Sequence, residues 1–174
     1  MNRFVVANPA LCIGCQTCEI ACVSAHNAEG QAIDSKYFFP RLKVVKDGDV
    51  TGPVMCRHCE DAPCASVCPT GAIAFSKDSV EIDQIKCIGC KTCVLACPYG
   101  AMTVVTHDVP RVAEDMGFGF ISQSEAQKCD LCSTRAAGPA CVEVCPTKAL
   151  YVVEPATLQK LRQDRQKATL SAML

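Results

Sequence analysis

Cys12-Ile13-Gly14-Cys15-Gln16-Thr17-Cys18-Glu19-Ile20-Ala21-Cys22 returns later in the same chain as Cys87-Ile88-Gly89-Cys90-Lys91-Thr92-Cys93-Val94-Leu95-Ala96-Cys97. A second pair interleaves with the first. Ala62-Pro63-Cys64-Ala65-Ser66-Val67-Cys68-Pro69-Thr70-Gly71-Ala72-Ile73 matches Pro139-Ala140-Cys141-Val142-Glu143-Val144-Cys145-Pro146-Thr147-Lys148-Ala149-Leu150. The sixteen cysteines therefore fall into four quartets: Cys12/15/18/22, Cys56/59/64/68, Cys87/90/93/97 and Cys129/132/141/145. Duplication of a two-quartet unit explains that order economically, since a fixed internal period marks a repeated structural unit.

The spacing carries chemistry. Two residues between thiols let the backbone arch over one face of a cubane, so Cys-x2-Cys-x2-Cys supplies three ligands to one [4Fe–4S] cluster. The fourth cysteine, three residues on, points away toward a neighbouring cluster, as in bacterial two-cluster ferredoxins. Pro follows Cys68, Cys97 and Cys145, and its fixed φ steers the chain away after the ligand, whereas Val23 follows Cys22. Two quartets are stretched, Cys56-x2-Cys59-x4-Cys64 and Cys129-x2-Cys132-x8-Cys141, and added loop residues cost little closure entropy. Zinc knuckles also use Cys-x2-Cys pairs, but structural zinc has no need of the triple repeat ending in Cys-Pro. A disulfide scaffold suits small secreted chains. Here no long apolar leader precedes Cys12 and no apolar run nears the ~20 residues of a membrane span, so a cytoplasmic location is expected.

The bulk numbers agree. The chain has 174 residues, 49% of them apolar but with six Phe, three Tyr and no Trp, so the core is thin and something else must brace it. The formal charge of -1 argues against a basic nucleic-acid binder. It omits the thiolate clusters, each of which adds a formal charge of about -2 when oxidised. Neither a glycine-rich dinucleotide motif nor a catalytic constellation is present, so the chain reads as non-catalytic.

Between quartets, strands are expected at Arg3 to Ala7, Leu42 to Val45, Ala101 to Thr106 and Ala149 to Val153. Ile73 to Phe75 and Val80 to Ile82 read as a hairpin across Lys77-Asp78. Thr17 to Val23 and Thr92 to Ala96 read as single helical turns gripping a cluster. Residues 107–128, rich in Gly and polar groups, read as an insertion, either a surface loop or a subunit contact. From Pro155 the pattern Leu158, Leu161, Arg165, Ala168, Ala172 predicts an amphipathic helix over 155–172, serving as a cap on its own fold, a docking element or a means of self-association. Lys86, Lys91 and Lys128 adjoin or lie within quartets, where a cation would raise a cluster's potential, but each is assigned to the surface. His58 is read as structural, and His26 and His107 as surface residues.

Across roughly 1–153 the chain resembles the four-cluster ferredoxin-type subunits found beside molybdenum or tungsten enzymes and hydrogenases, and most of all those of formate dehydrogenase and formate hydrogenlyase complexes. MNRFVVANPALCIGCQTCEIAC (1–22), CRHCEDAPCASVCPTGAI (56–73), KCIGCKTCVLACPYGAM (86–102) and KCDLCSTRAAGPACVEVCPTKAL (128–150) carry the resemblance. It implies an α+β fold, a duplicated bacterial two-cluster ferredoxin, with one lobe from about 1–35 plus 120–153, another from about 50–105, and a C-terminal helix in 155–174. It also implies the choice of quartet pairs. One cluster takes Cys12, Cys15, Cys18 and Cys145, and its neighbour takes Cys22, Cys129, Cys132 and Cys141. In the other lobe, Cys56, Cys59, Cys64 and Cys97 hold one cluster, and Cys68, Cys87, Cys90 and Cys93 the next. The implied function is an electron-transfer subunit that relays single electrons through four [4Fe–4S] clusters. Its ends would be a molybdenum or tungsten formate dehydrogenase and a hydrogenase or another redox partner. Membrane-anchored relatives carry a C-terminal transmembrane helix that is not seen here, which implies a soluble assembly. An accessory maturation protein and a free ferredoxin-like carrier remain the alternatives.

Overall fold

The computed structural model describes residues 1–27, 33–113 and 117–173. Its elements run β1 (Phe4–Ala7), α1 (Thr17–His26), β2 (Leu42–Asp47), β3 (Val50–Met55), α2 (Pro63–Ser66), β4 (Ile73–Phe75), β5 (Val80–Ile82), α3 (Thr92–Ala96), β6 (Thr103–Ala113), β7 (Gly117–Gln127), α4 (Ala140–Glu143), β8 (Leu150–Val153) and α5 (Pro155–Ser171). The strands form four antiparallel two-stranded sheets, β1-β8, β2-β3, β4-β5 and β6-β7. An isolated two-stranded ribbon is marginal in water, so these small sheets depend on what they pack around.

The order encodes a two-fold repeat. Each repeat supplies a strand, a quartet with its helix, a ribbon, a second quartet with its helix, and a closing strand. The closing strand of the first repeat, β4, pairs with the opening strand of the second, β5, in the register Ile73↔Ile82, Ala74↔Glu81, Phe75↔Val80. The closing strand of the second, β8, returns to the opening strand of the first, from Phe4↔Val153 to Ala7↔Leu150. Accordingly α1 packs on α4, and α2 on α3. Two apolar clusters result. Val5, Leu42, Met55, Leu131 and Leu150 gather with Cys18, Cys22, Cys129 and Cys141. Ala62, Ile73, Val80, Met102 and Ala126 gather with Cys64 and Cys93. The N-terminus ties the two together: Arg3 N–H donates to the Asp78 carbonyl (2.8 Å), and the Arg3 guanidinium pairs with the Asp78 carboxylate at 2.6 Å.

Several expectations are corrected. Within 107–128, residues 107–113 and 117–127 are no loop, because β6 and β7 form an eleven-residue ribbon from Thr103↔Gln127 to Ala113↔Gly117, while 114–116 lie outside the described residues. Pro110 and the glycines at 117 and 119 hid it in the sequence, yet each strand of a ribbon bonds on one side only and can accept a proline. Strand β3 was also missed, since Gly52-Pro53 interrupts its pattern. It is set by a two-residue turn in which Gly48, at the first central position, takes φ 56°. Helix α1 runs on to His26, beyond the single turn expected. Helix α5 exists, but it buries none of its residues and so does not cap this fold.

Candidate metal centres

Each Cys-x2-Cys-x2-Cys turn is set by left-handed residues. Gly14 and Gly89 take φ 70° and 65°, and Gln16 and Lys91, just before α1 and α3, take 61° and 66°. Glycine adopts this region without penalty, whereas Gln and Lys adopt it only under the constraint of the surrounding turn. A ribbon lies over each turn. A Cβ on Gly14 would come within 2.9 Å of Thr51 Cγ2 in β3, and one on Gly89 within 2.4 Å of Ser124 Cβ in β7.

Two sets of four cysteines each line a cavity. Cys12, Cys15, Cys18 and Cys145 line one cavity of about 350 Å³, with Thr17 and Thr147 in its wall. Cys68, Cys87, Cys90 and Cys93 line another, so the two outer sites correspond in lining as in sequence. Both open to the surface: Cys15 and Cys90 are exposed, beside Ile13 and Ile88 at 67% and 64% exposure. Of the other eight cysteines, five are buried. Cys22, Cys129, Cys132 and Cys141 are all buried, and Cys141 sits in the field of the other three. Cys56 lies in the field of Cys97 and Cys59, and Cys64 in that of Cys56 and Cys97.

The thiols differ with position. At the outer sites the Thr17 hydroxyl donates to Cys15 Sγ at 3.3 Å and, with the Thr17 N–H, holds that thiol below its usual range. Thr92 does the same for Cys90. Where the thiols are buried the shift reverses: burial pushes Cys18, in an outer group, up to about 11 and Cys129, in an inner one, up to about 12, and raises Cys141 further still. Since metals bind thiolates, loading the inner groups must expel protons that burial otherwise holds in place.

The donor set fits [4Fe–4S] clusters. There are four sulfurs per group, and backbone N–H groups are already aimed at sulfur. Arg41, His58 and Ala101 donate to Cys22, Cys56 and Cys97 at 3.4 Å, and Ala149 to Cys145 at 3.2 Å. The buried Nε2 of His58 has no partner in the protein among the described residues. Its Nδ1 accepts from the Val80 N–H at 3.0 Å, so Nε2 carries the proton and is a spare buried donor.

Three side chains differ from their sequence reading. His26, assigned to the surface, is half-buried. Burial works against its charge, but the Asp130 carboxylate and Cys22 raise its pKa to about 10. It donates from Nδ1 to the Cys22 carbonyl (2.7 Å) and from Nε2 to Asp130 Oδ1 (3.0 Å). Asp130 also pairs with Arg41 and accepts from the Cys132 N–H. His107 is half-covered, 3.7 Å from Glu125. Lys128, also assigned to the surface, is buried at 3% exposure, whereas Lys86 is exposed and paired with Asp83 at 3.2 Å. Glu19 was missed altogether: it is buried, accepting from the Val44 N–H (2.6 Å) and Lys43 Nζ (3.1 Å), and so fastens α1 to β2.

Among the described residues no helix is long and apolar enough to cross a membrane. Two 4Fe-4S dicluster domain profiles match, over residues 50–117 and 86–149. Electron transport protein HydN of Escherichia coli K12 is 47% identical over 97% of this chain and 98% of its own length. Formate hydrogenlyase subunit 2 of the same strain is 38% identical, over 98% of this chain and 91% of its own. Putative oxidoreductase AegA, also from that strain, is 47% identical over 97% of this chain but only 24% of its own length. The two dicluster matches and 47% identity to HydN over nearly the whole of both chains lead to one conclusion: the chain belongs to the 4Fe–4S dicluster family of iron–sulfur electron-transfer subunits.

Proposed function

We propose that the chain holds four [4Fe–4S] clusters and relays single electrons between a formate dehydrogenase-type catalytic subunit and a hydrogenase or other redox partner. The observation that carries this reading is the pair of cysteine-lined cavities open at the surface, with five of the remaining eight cysteines buried. Bound clusters supply reversible one-electron chemistry, the donor partner losing one electron for each that the acceptor gains. Cys12, Cys15, Cys18 and Cys145 would hold one outer cluster, and Cys68, Cys87, Cys90 and Cys93 the other. Cys22, Cys129, Cys132 and Cys141, and Cys56, Cys59, Cys64 and Cys97, would hold the inner pair. The ligand sets link quartet one to four and quartet two to three, matching the packing of α1 on α4 and α2 on α3. They divide the chain into one lobe of its two ends and one of its middle, with α5 as a separate docking element.

The chain's residues do three things here. Thiolates and the backbone N–H groups aimed at sulfur hold and tune the metal. The β2-β3 and β6-β7 ribbons cover the two outer turns. Ile13 and Ile88 give each opening an apolar rim against which a partner's redox centre can seat. Formate hydrogenlyase subunit 2 and AegA, by their names, favour an oxidoreductase as that partner, and a cytoplasmic assembly follows from the same reading.

Native mass spectrometry of the protein purified without oxygen from its own cells tests this. Sixteen irons per copy, together with a formate dehydrogenase or hydrogenase subunit, is the expected result. Sixteen irons on a free monomer would replace the relay with a mobile carrier. Association with an oxidoreductase whose substrate cannot reduce the clusters would favour a maturation role. Few or no irons would sink the four-cluster reading.

A further inference from the structure

We infer that Lys128 is a fixed positive charge, buried between the two inner sulfur groups, that raises the reduction potential where electrons cross from one lobe to the other. This rests on the reading that the inner groups hold clusters. Lys128 precedes Cys129, a member of one inner group, and its Nζ donates to the Cys129 carbonyl at 3.0 Å. The same Nζ reaches the other lobe, donating to the carbonyl of Val80 in β5. The two carbonyls accept two of its three protons without neutralising its charge. Among the described residues it forms no ion pair with a carboxylate: Asp130, next but one along the chain, is engaged by His26 and Arg41. An ammonium buried in that way is costly unless negative charge lies close.

Sulfur is the negative charge within its field. Burial pushes the Cys56 and Cys64 thiols up, and the Lys128 ammonium opposes that at both. The cation therefore belongs by sequence to one inner group and acts on the other. Its neighbour His58, 1% exposed, does not share this role. Burial first, and Lys128 next, lower its pKa to about 4, so it stays neutral and offers only its spare Nε2–H. A fixed cation stabilises the form with one more electron. The repeat also supplies a comparison. The residue preceding quartet two is Met55, 2% exposed and packed in the apolar cluster with Val5 and Leu131. The two-fold repeat thus places a cation on one side of the junction and a thioether on the other.

Lys128→Met, Lys128→Gln and Lys128→Arg, each purified without oxygen, test the inference by iron content and by a dithionite titration followed by electron paramagnetic resonance. Methionine is already tolerated at the matching position, and glutamine keeps a donor for the Val80 carbonyl. The expected result is wild-type iron in all three, with one inner signal moved to lower potential in the two neutral variants and left near its wild-type value by arginine. At the poise that half-reduces this signal in the wild type, the reduced-to-oxidised ratio should fall about tenfold in the neutral variants. Full iron with unchanged potentials in both neutral variants would overturn the inference. So would loss of iron from the variants, which would make Lys128 a strut of the fold. A wild-type protein without iron would instead remove the four-cluster reading beneath it.

Discussion

The two halves of the repeat use the same sulfurs and the same turns, yet they fill their junctions differently. Seven residues before the first cysteine of quartets one and three stand Val5 and Val80, both fully buried. Two residues into quartets two and four stand His58 and Leu131, both left-handed at φ 46° and 61°. One residue before those quartets stand Met55 and Lys128. Met55 and Leu131 close on Val5 as an apolar triad. Lys128 and His58 close on the two sides of the Val80 peptide as a polar one, Nζ on its carbonyl and Nδ1 on its N–H. The next position inverts as well. Asp130 gathers His26 and Arg41, while its counterpart Arg57 lies over the rings of Phe4 and Tyr99 at 5.8 and 6.0 Å. Cluster geometry constrains the ligands and the turns, so these survive duplication. The junction answers only to packing and charge, and there the halves have diverged.

The largest expected effect comes from forcing the halves to match. Met55→Lys would place an ammonium among Val5, Leu42 and Leu131, at a cost of about 3–5 kcal/mol. The check is iron retained after purification and the rate of cluster loss to a chelator. A variant as durable as wild type would show that the apolar triad is wet or adaptable, and the contrast with Lys128 would collapse.

A smaller effect should sharpen the contrast between ribbons. Gly89→Ala meets the Ser124 Cβ at 2.4 Å, an atom fixed to the backbone of β7. Gly14→Ala meets only the tip of Thr51 at 2.9 Å, which can rotate away. Both also carry the penalty of a positive φ, of order 1–2 kcal/mol. Gly89→Ala should therefore lose its outer cluster to chelator faster than Gly14→Ala. Equal rates would mean that β6-β7 can lift from the turn without cost.

The smallest effect belongs to the tail. Truncation after Glu154 removes α5, which buries nothing, and should change stability by no more than about 0.5 kcal/mol, with iron content unchanged. A large loss of iron would show that α5 braces the lobe built from the chain's two ends.

The site was more legible in the sequence than the fold around it. Thiol spacing is dictated by the size of a cubane, so the quartets could be read by counting. The left-handed Gly14 and Gly89 were visible as the recurrent Ile-Gly pair. Pairings across distance were not: nothing in Phe4–Ala7 names Leu150–Val153 as its partner, because a short strand specifies alternation and not its mate. The β6-β7 ribbon was masked by Pro110 and by glycines that matter little where only one edge is bonded. Lys128 was read by residue type and so placed outside. Setting the repeats side by side, with Met55 opposite Lys128 and Leu131 opposite His58, would have marked it as a buried position. His26 escaped because its partner Asp130 lies far along the chain.

Joining the first strand to the last has a consequence for biogenesis. On the proposed ligand sets, the sulfurs of the middle of the chain, Cys56 through Cys97, emerge from the ribosome close together, so both of their sites can be completed early. The site opened by Cys12, Cys15 and Cys18 must wait for Cys145, roughly 6–25 s later at ordinary rates of synthesis. For that interval the nascent chain presents three thiols to whatever metal, oxidant or delivery protein reaches them first. Maturation should run from the centre outward, with the N-terminal turn the last to close.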